Sequence, residues 1–215
     1  EKRKYDFIRR GRGPGEMVNG VSLHRFGKKA IISDRSSSTC IALDIDASIN
    51  SGYAVMDTLG RFGSNPARPC YLVYTGGGFI STNLLDDDSF YSFYDSNGNI
   101  LSNVRGFGFD SVKNCSDHDF LASLRLGSLY TVSPSGENVC VASTGCTAIS
   151  FATLKDGKLK ETKRYEIAPP DITSRGGYTV FKKEGTSTFN AICSDASFVY
   201  LLYSGNPLFG GAVPG

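Results

Sequence analysis

The chain contains no tryptophan, only two histidines and almost no excess of charge of either sign. Its 23 basic and 21 acidic side chains give a net charge of +2. Proteins dedicated to nucleic acids usually carry a strong basic excess or stripe, so we expect no nucleic-acid partner. No apolar run approaches the roughly 18 residues of a membrane-spanning helix, so we expect no transmembrane span in this chain. Helical periodicity is also scarce, and only residues 117–126 show a weak form of it.

Signatures of catalysis and metal binding are equally sparse. The six cysteines, at positions 40, 70, 115, 140, 146 and 193, form no Cys-x-x-Cys pair. Cys40, Cys140 and Cys193 lie within apolar strand patterns, so we expect most of the six thiols to be reduced and buried. One disulfide stays open as an alternative in an oxidising compartment. No Gly-x-Ser-x-Gly elbow supports serine-hydrolase chemistry. We therefore predict neither a cofactor nor a metal site.

What the chain has in abundance is glycine, with 25 residues, and phenylalanine and tyrosine, with 14 and 11. These residues occur in short apolar segments separated by turns, and residues 133–159 show the pattern most clearly. Ser-Pro-Ser-Gly at 133–136 predicts a reverse turn, and strands are predicted around Val139–Val141 and Ala148–Leu154. Lys155-Asp-Gly157 predicts a hairpin turn, because Asp-Gly accepts positive φ. The pattern is that of an all-β protein.

The same unit recurs along the chain. Residues 93–101 and 151–159 both read as strand, glycine-containing turn and strand, at an offset of 58 residues, and 133–136 aligns with 194–197 at an offset of 61. A period of this size with about four short strands predicts four-stranded antiparallel blades of a β-propeller. We predict one domain, 1–215, with residues 1–16 as a closing strand and glycine-rich loop. The predicted blades are 17–64, 65–112, 113–170 and 171–215.

Four partial blades in 215 residues predict an incomplete ring, since six blades of this period need about 350 residues. The chain begins at Glu1 rather than Met, so we expect a targeting segment to have been removed. Residues 1–10 are predicted to form an edge strand, and Tyr200, Leu202 and Tyr203 to belong to an inner strand without outer partners. We expect this chain to pair with a remaining segment of the same protein, to self-associate, or to be unstable.

Residues 8–16, Ile-Arg-Arg-Gly-Arg-Gly-Pro-Gly-Glu, support a family resemblance. Together with the Tyr203-Ser-Gly that ends an aromatic strand, this segment resembles the TolB-like, six-bladed β-propeller proteins of Bacteroidetes-type bacteria. The resemblance implies a six-bladed fold and an exported protein of the periplasm or outer membrane, in many members held by a lipid anchor. It implies no particular ligand, because the ligands of that family are mostly undetermined.

The first candidate ligand site is the cluster of Arg9, Arg10, Arg12 and Glu16 on or beside the glycine-rich loop. Arginine pairs bidentately with carboxylate or phosphate, so the cluster predicts an anionic ligand. The alternative is structural, with Arg12 and Glu16 tying the loop to neighbouring blades.

The second candidate is His118 with Asp117 and Asp119, which have the chemistry of a metal ligand set or an acid/base pair. A helix cap in a solvated loop is the favoured alternative. His24, the other histidine, is predicted to lie on a strand. Residues 86–89 and 95–99 suggest calcium loops, but the second lacks the closing Glu, and its Asn-Gly is explained by hairpin geometry.

These observations favour a non-catalytic binding or scaffold propeller of the bacterial cell envelope that recognises a protein or glycan at one face. The alternative is an enzyme, a hydrolase or lyase that acts on a polysaccharide in the central funnel. Such an enzyme needs two carboxylates, or a histidine with a carboxylate, converging on one point.

Overall fold

The fold is built from short antiparallel strands in chain order, in a computed structural model of the protein. The structure describes residues 6–11, 13, 16–34, 39–62, 72–81, 89–105, 128–144, 147–168, 172–175, 178–181 and 189–203. Three sheets each contain four antiparallel strands that follow one another in sequence. The prediction of an all-β chain with four-stranded antiparallel sheets is therefore confirmed.

The first sheet contains β3 (Gly20–Phe26), β4 (Lys29–Asp34), β5 (Thr39–Asp44) and β6 (Met56–Arg61). The sequence showed only weak helical periodicity, at residues 117–126, and predicted no helix in this sheet. A short helix, α1 (Ile45–Ser51), joins β5 to β6.

Local hydrogen bonds explain why α1 forms despite its length. The Asp44 carboxylate accepts the backbone N–H of Ala47 at 2.9 Å, and the N–H of Gly52 donates to the Ser48 carbonyl at 2.9 Å. Gly52 has φ 77°, the left-handed conformation in which helices often end. The Asp44 cap begins the helix and Gly52 ends it, although the seven residues between them have little apolar periodicity. The weakly helical segment 117–126 lies outside the described residues.

The second and third sheets repeat the arrangement of the first. The second contains β7 (Val73–Tyr74), β8 (Phe79–Ser81), β9 (Ser89–Tyr94) and β10 (Ile100–Arg105). The third contains β11 (Ser128–Val132), β12 (Asn138–Ser143), β13 (Thr147–Lys155) and β14 (Lys158–Ala168). The two matched segments, 93–101 and 151–159, form the hairpins between the third and fourth strands of these sheets. Segments 58 residues apart in the sequence therefore occupy corresponding positions in the second and third sheets.

In the described part of the expected blade at 171–215, the strands are not joined in one sheet. They form two separate pairs, β15 (Ile172–Arg175) with β16 (Tyr178–Phe181), and β17 (Phe189–Ser194) with β18 (Val199–Tyr203). The edge strand predicted over residues 1–10 is described only from residue 6 onwards. In its described part, only β1 (Arg9–Arg10) is a strand, and it pairs in parallel with β2 (Glu16–Met17).

The second sheet is covered on both faces. Tyr94 and Phe79 pack with Ile31 and Cys40 of the first sheet. Tyr91 and Phe93 pack with Val139 and Val141 of the third sheet. The other buried members of this cluster are Ile80, Phe90, Val104, Ala148 and Ala152. All six residues of β9 are buried. Burying one large apolar side chain contributes about 1.5–3 kcal/mol, so this strand is a main source of stability.

The first strands of consecutive sheets lie side by side: β3 contacts β7, β7 contacts β11, and β11 contacts β17. The turns that follow these strands also meet. Gly76 lies against the Phe26 ring, and Gly136 lies against the Thr75 carbonyl. Ser194 Oγ donates to the Val132 carbonyl at 3.0 Å. β17 is therefore the first strand of a fourth unit and β18 its second strand, so β18 is not the inner strand that the sequence predicted.

His24 links the first two sheets. Its Nε2 accepts the backbone N–H of Tyr74 at 2.9 Å, so Nδ1 carries the ring proton. Nδ1 is buried and has no hydrogen-bond partner in the described part of the chain. Burial lowers the pKa of His24 from 6.5 to about 4, against the opposing effect of the Tyr74 hydrogen bond. The neutral ring is thus the form that fits between β3 and β7.

We predict that acid destabilises the protein through His24. The folded-state pKa lies below the unfolded value, so the stabilisation is complete above about pH 6.5 and is lost as the pH falls towards 4. The shift corresponds to a loss on the order of 3 kcal/mol. Urea unfolding of wild type and His24→Gln at pH 7, 6, 5 and 4 measures it. Gln keeps an acceptor for Tyr74 but does not titrate, so equal pH dependence in both proteins would contradict the prediction.

A second prediction concerns the contact between the turns of the second and third sheets. Gly136 has φ 81°, and a Cβ there would overlap the Thr75 carbonyl. Gly136→Ala is expected to lower the free energy of unfolding by at least about 2 kcal/mol, from backbone strain and overlap together. Gly77→Ala is the matched control, because a Cβ at Gly77 meets nothing within 4 Å. Denaturant midpoints measure both, and equal midpoints would show that this turn contact does not form.

Candidate functional site

The glycine-rich loop is folded around the Glu16 side chain. Glu16 Oε2 accepts the backbone N–H of Gly13 at 2.8 Å, and the N–H of Glu16 donates to the Gly13 carbonyl at 3.0 Å. The N–H of Gly11 donates to the Met17 carbonyl at 3.1 Å. A Cβ at Gly11 would overlap the Glu16 carboxylate. The Glu16 carboxylate thus fills the space that a side chain at position 11 would need, so the loop requires glycine there.

The end of the loop is attached to the first sheet. The backbone N–H of Val18 donates to the Asp34 carboxylate at 2.7 Å, and both Asp34 and Met17 are buried. Asp34 ends β4, so the hydrogen bond joins the chain after β2 to the sheet. This anchor gives the loop a fixed base.

Arg9 and Arg10 lie on β1, opposite Glu16 and Met17 in the parallel pair. Both are exposed, and neither guanidinium forms a hydrogen bond or ion pair with any residue that the structure describes. Arg9 lines two open clefts, one of about 400 Å³ with Arg10 and Leu23, the other of about 520 Å³ with Glu16 and Tyr53. The predicted cluster is thus partly assembled: Arg9 and Arg10 are available to a ligand, whereas Glu16 holds the loop. Arg12 lies outside the described residues.

The other predicted candidates have different outcomes. Asp117, His118 and Asp119 lie outside the described residues, as do residues 86–88. At the second candidate calcium loop, Asp95 Oδ1 accepts the N–H groups of Asn97 and Asn99, each at 2.8 Å, and Gly98 has φ 86°. These hydrogen bonds lower the pKa of Asp95, outweighing the opposing effect of desolvation, which is the largest single contribution. The segment is therefore the hairpin turn that its Asn-Gly sequence predicted.

A polar network between the second and third sheets was not predicted. Tyr91 Oη lies 2.9 Å from Ser150 Oγ, which donates to Glu161 Oε1 at 2.6 Å. Arg164 Nε donates to the same carboxylate oxygen at 2.8 Å, and its Nη2 donates to the Arg105 carbonyl at 2.8 Å. Burial raises the pKa of Tyr91 well above its ordinary value. Ser150, Glu161 and Arg164 lie on the hairpin of β13 and β14, but Tyr91 lies 59 residues before Ser150, so no local sequence signal could have identified the network across the two sheets.

The cysteine prediction was right for two described residues and wrong for a third. Cys40 and Cys140 are free and buried, and burial raises the pKa of each thiol to about 12. Cys193 is free but exposed. The next residue, Ser194, contacts the third sheet, and neighbouring residues of a strand point to opposite faces. Cys70, Cys115 and Cys146 lie outside the described residues.

A third cleft, of about 250 Å³, separates the third sheet from the β17–β18 pair. Its lining includes Thr131, Asn138 and Phe198. Thr131 Oγ1 lies 2.9 Å from Ser194 Oγ at the base of this cleft. Asp195 accepts hydrogen bonds from the N–H groups of Ser197 and Phe198, each at 2.7 Å, and these bonds lower the pKa of its carboxyl. Asp195 is thus committed to the turn between β17 and β18.

Among the residues described, no group of three or more His, Cys, Asp or Glu side chains has the arrangement of a metal site. The described helix is too short to cross a membrane.

Comparisons with known proteins give no family. No protein-family description matches the chain, and no curated protein matches it. Among solved structures, the chain is similar to one in a complex of a variant of S. cerevisiae Dbp5 bound to Nup159, a variant of Gle1, IP6 and ADP. The likeness covers 70% of this chain and 31% of that chain, at 10% identity and a TM-score of 0.33. A likeness of this size assigns neither a family nor a function.

The loop geometry generates a prediction for Glu16. Glu16→Ala removes the acceptor of the Gly13 N–H, so hydrogen exchange at that amide is expected to accelerate about fivefold, in keeping with a hydrogen bond of about 1 kcal/mol. Glu16→Gln keeps an acceptor oxygen and serves as the control. If exchange at Gly13 is equally fast in the wild type and Glu16→Ala, the carboxylate does not hold the loop.

Proposed function

We propose that this protein is a non-catalytic binding or scaffold β-propeller of the bacterial cell envelope. The repeated four-stranded sheets support the propeller, as do the first strands that lie side by side from one sheet to the next. The Gly-x-Gly-Pro-Gly-Glu loop supports the TolB-like family and, with it, export to the envelope. A propeller offers a rigid frame on which loops at one face hold a ligand.

One observation carries the binding function: Arg9 and Arg10 are exposed, lie on β1 beside the loop that Glu16 closes, and line open clefts. Neither side chain has a hydrogen-bond or ion-pair partner among the described residues. The loop is closed by Glu16 and anchored through Val18 and Asp34, so Arg9 and Arg10 have a fixed base. Arginine presents a planar fork of donors that matches carboxylate and phosphate groups. The ligand therefore carries anionic groups.

An acidic glycan fits this surface. Tyr53 is 67% exposed and lines the same cleft as Arg9, so an aromatic ring and a cation are offered together. A sugar acid presents an apolar ring face and a carboxylate, which match these two groups. Asp6 lines the same cleft and selects against ligands with dense negative charge near that side.

We predict that Arg9→Ala/Arg10→Ala weakens binding of an acidic polysaccharide at least about tenfold, since each charge-assisted hydrogen bond contributes about 1.5–3 kcal/mol. Calorimetric titration with polygalacturonate measures it, with dextran as the neutral comparison. The control variant is Lys158→Ala/Lys160→Ala, which removes two exposed cations elsewhere and is expected to bind as wild type does.

Three outcomes count against the proposal. Wild type that fails to bind polygalacturonate would refute the acidic-glycan ligand. Equal loss in both double variants would show that only net charge matters. Reducing ends or unsaturated products released from the polymer would identify a hydrolase or lyase and overturn the non-catalytic function.

A further inference from the structure

The hairpin turns of the second and third sheets each reach back to the sheet that precedes them. In both sheets the turn joins the third strand to the fourth, β9 to β10 and β13 to β14. Each turn contains a glycine with positive φ, 86° at Gly98 and 72° at Gly157. Each turn also contacts the end or the middle of the fourth strand of the preceding sheet, and the two contacts use different groups.

The turn of the second sheet lies against the end of β6. The backbone N–H of Arg61 donates to the Ser96 carbonyl at 3.3 Å. A Cβ at Gly60 would lie 3.0 Å from that carbonyl oxygen, and a Cβ at Gly98 would lie 3.0 Å from the Phe62 ring. Both distances are shorter than ordinary van der Waals contact, so this close approach favours a glycine on each side.

The turn of the third sheet is held by one side chain of β10. Ser102 Oγ donates to the Gly157 carbonyl at 3.3 Å and accepts the N–H of Leu159 at 2.9 Å. A hydroxyl can donate one hydrogen bond while it accepts another, so Ser102 meets an acceptor and a donor of the same turn. The Leu101 side chain lies 3.9 Å from the Cβ position of Gly157. The contact thus combines two hydrogen bonds with apolar packing.

β10 is attached to the third sheet at a second point. Arg164 Nη2 donates to the carbonyl of Arg105, the last residue of β10, at 2.8 Å. Between the two points, Val104 is buried and belongs to the apolar cluster that the second and third sheets share. Ser102 and Val104 lie on one face of the strand, because side chains alternate with a period of two. The hydrogen bonds of Ser102 therefore border the apolar contact between the two sheets.

We propose that the turn at residues 155–158 attaches the third sheet to the second through Ser102, and that the turn at residues 95–99 attaches the second sheet to the first. A segment opens locally when few contacts hold it, so these attachments keep one sheet from opening apart from its neighbour. Since each turn reaches back, each new sheet is attached to the one before it. Ser102 is a positioning residue in this device, which acts without any ligand.

Cysteine labelling of the folded protein tests the proposal, with each site read by mass spectrometry. Val104→Cys places a thiol at the boundary between the second and third sheets, and the native Cys40 is a buried thiol of the first sheet. In the Val104→Cys background, Ser102→Ala is expected to speed labelling by N-ethylmaleimide at position 104 at least about fivefold, the factor that corresponds to one hydrogen bond. The labelling rate of Cys40 is expected to stay unchanged.

Ser102→Thr is the matched control, since it keeps the hydroxyl and is expected to label as the Val104→Cys parent does. Three results would overturn the proposal. The first is unchanged labelling at position 104 in Ser102→Ala. The second is an equal acceleration at Cys40, which would show a general loss of stability. The third is the same acceleration in Ser102→Thr, which would show that the hydroxyl is not the cause.

Hydrogen exchange tests the same contact without the added cysteine. In Ser102→Ala, the Leu159 amide loses its acceptor and is expected to exchange at least about fivefold faster, together with the amides of β10. Exchange in β4, which belongs to the first sheet, is expected to be unchanged. Equal acceleration in β4 and β10, or no acceleration at Leu159, would contradict the attachment through Ser102.

Discussion

The second sheet has two apolar faces, and the rest of the described structure depends on covering both. Its strand β9 is buried along its whole length, with aromatic rings directed to the first sheet and to the third. Excluding water from both faces of the second sheet requires another sheet to pack against each face, so the first and third sheets lie on opposite sides of it. The turns after the first strands then come into contact, as Gly136 does with the Thr75 carbonyl. A single packing requirement thus sets both the order of the sheets and the spacing of their turns.

Some polar groups within this packing form hydrogen bonds from one sheet to the next. His24 accepts a hydrogen bond from the backbone of β7, and Tyr91 joins Ser150 and Glu161 at the boundary between the second and third sheets. An unsatisfied group in these places would cost about 1–3 kcal/mol, so each hydrogen bond favours one relative placement of neighbouring sheets. Apolar contacts supply most of the stability, whereas these polar contacts select the register in which the sheets meet.

The surface that supports binding lies beside the first sheet. Glu16 closes the glycine-rich loop there, and the exposed Arg9 and Arg10 have no hydrogen-bond or ion-pair partner among the described residues. Because the surface offers two guanidinium groups on a loop with a fixed base, it suits an anionic ligand.

The sequence by itself determined the strands and their hairpins. At Asp95–Asn99 the Asp95 carboxylate caps neighbouring N–H groups and Gly98 has positive φ, and at Asp156-Gly157 both residues have positive φ. The 58-residue match identified these two hairpins as corresponding. The sequence analysis missed α1, because this helix is set by the Asp44 cap and Gly52 and has no apolar periodicity. Only the tertiary structure decided that Cys193 is exposed while Cys140 is buried, although both lie in similar apolar segments. Turn geometry is fixed by a few adjacent residues, whereas burial depends on which distant sheet covers a face, and that information is absent from any short segment.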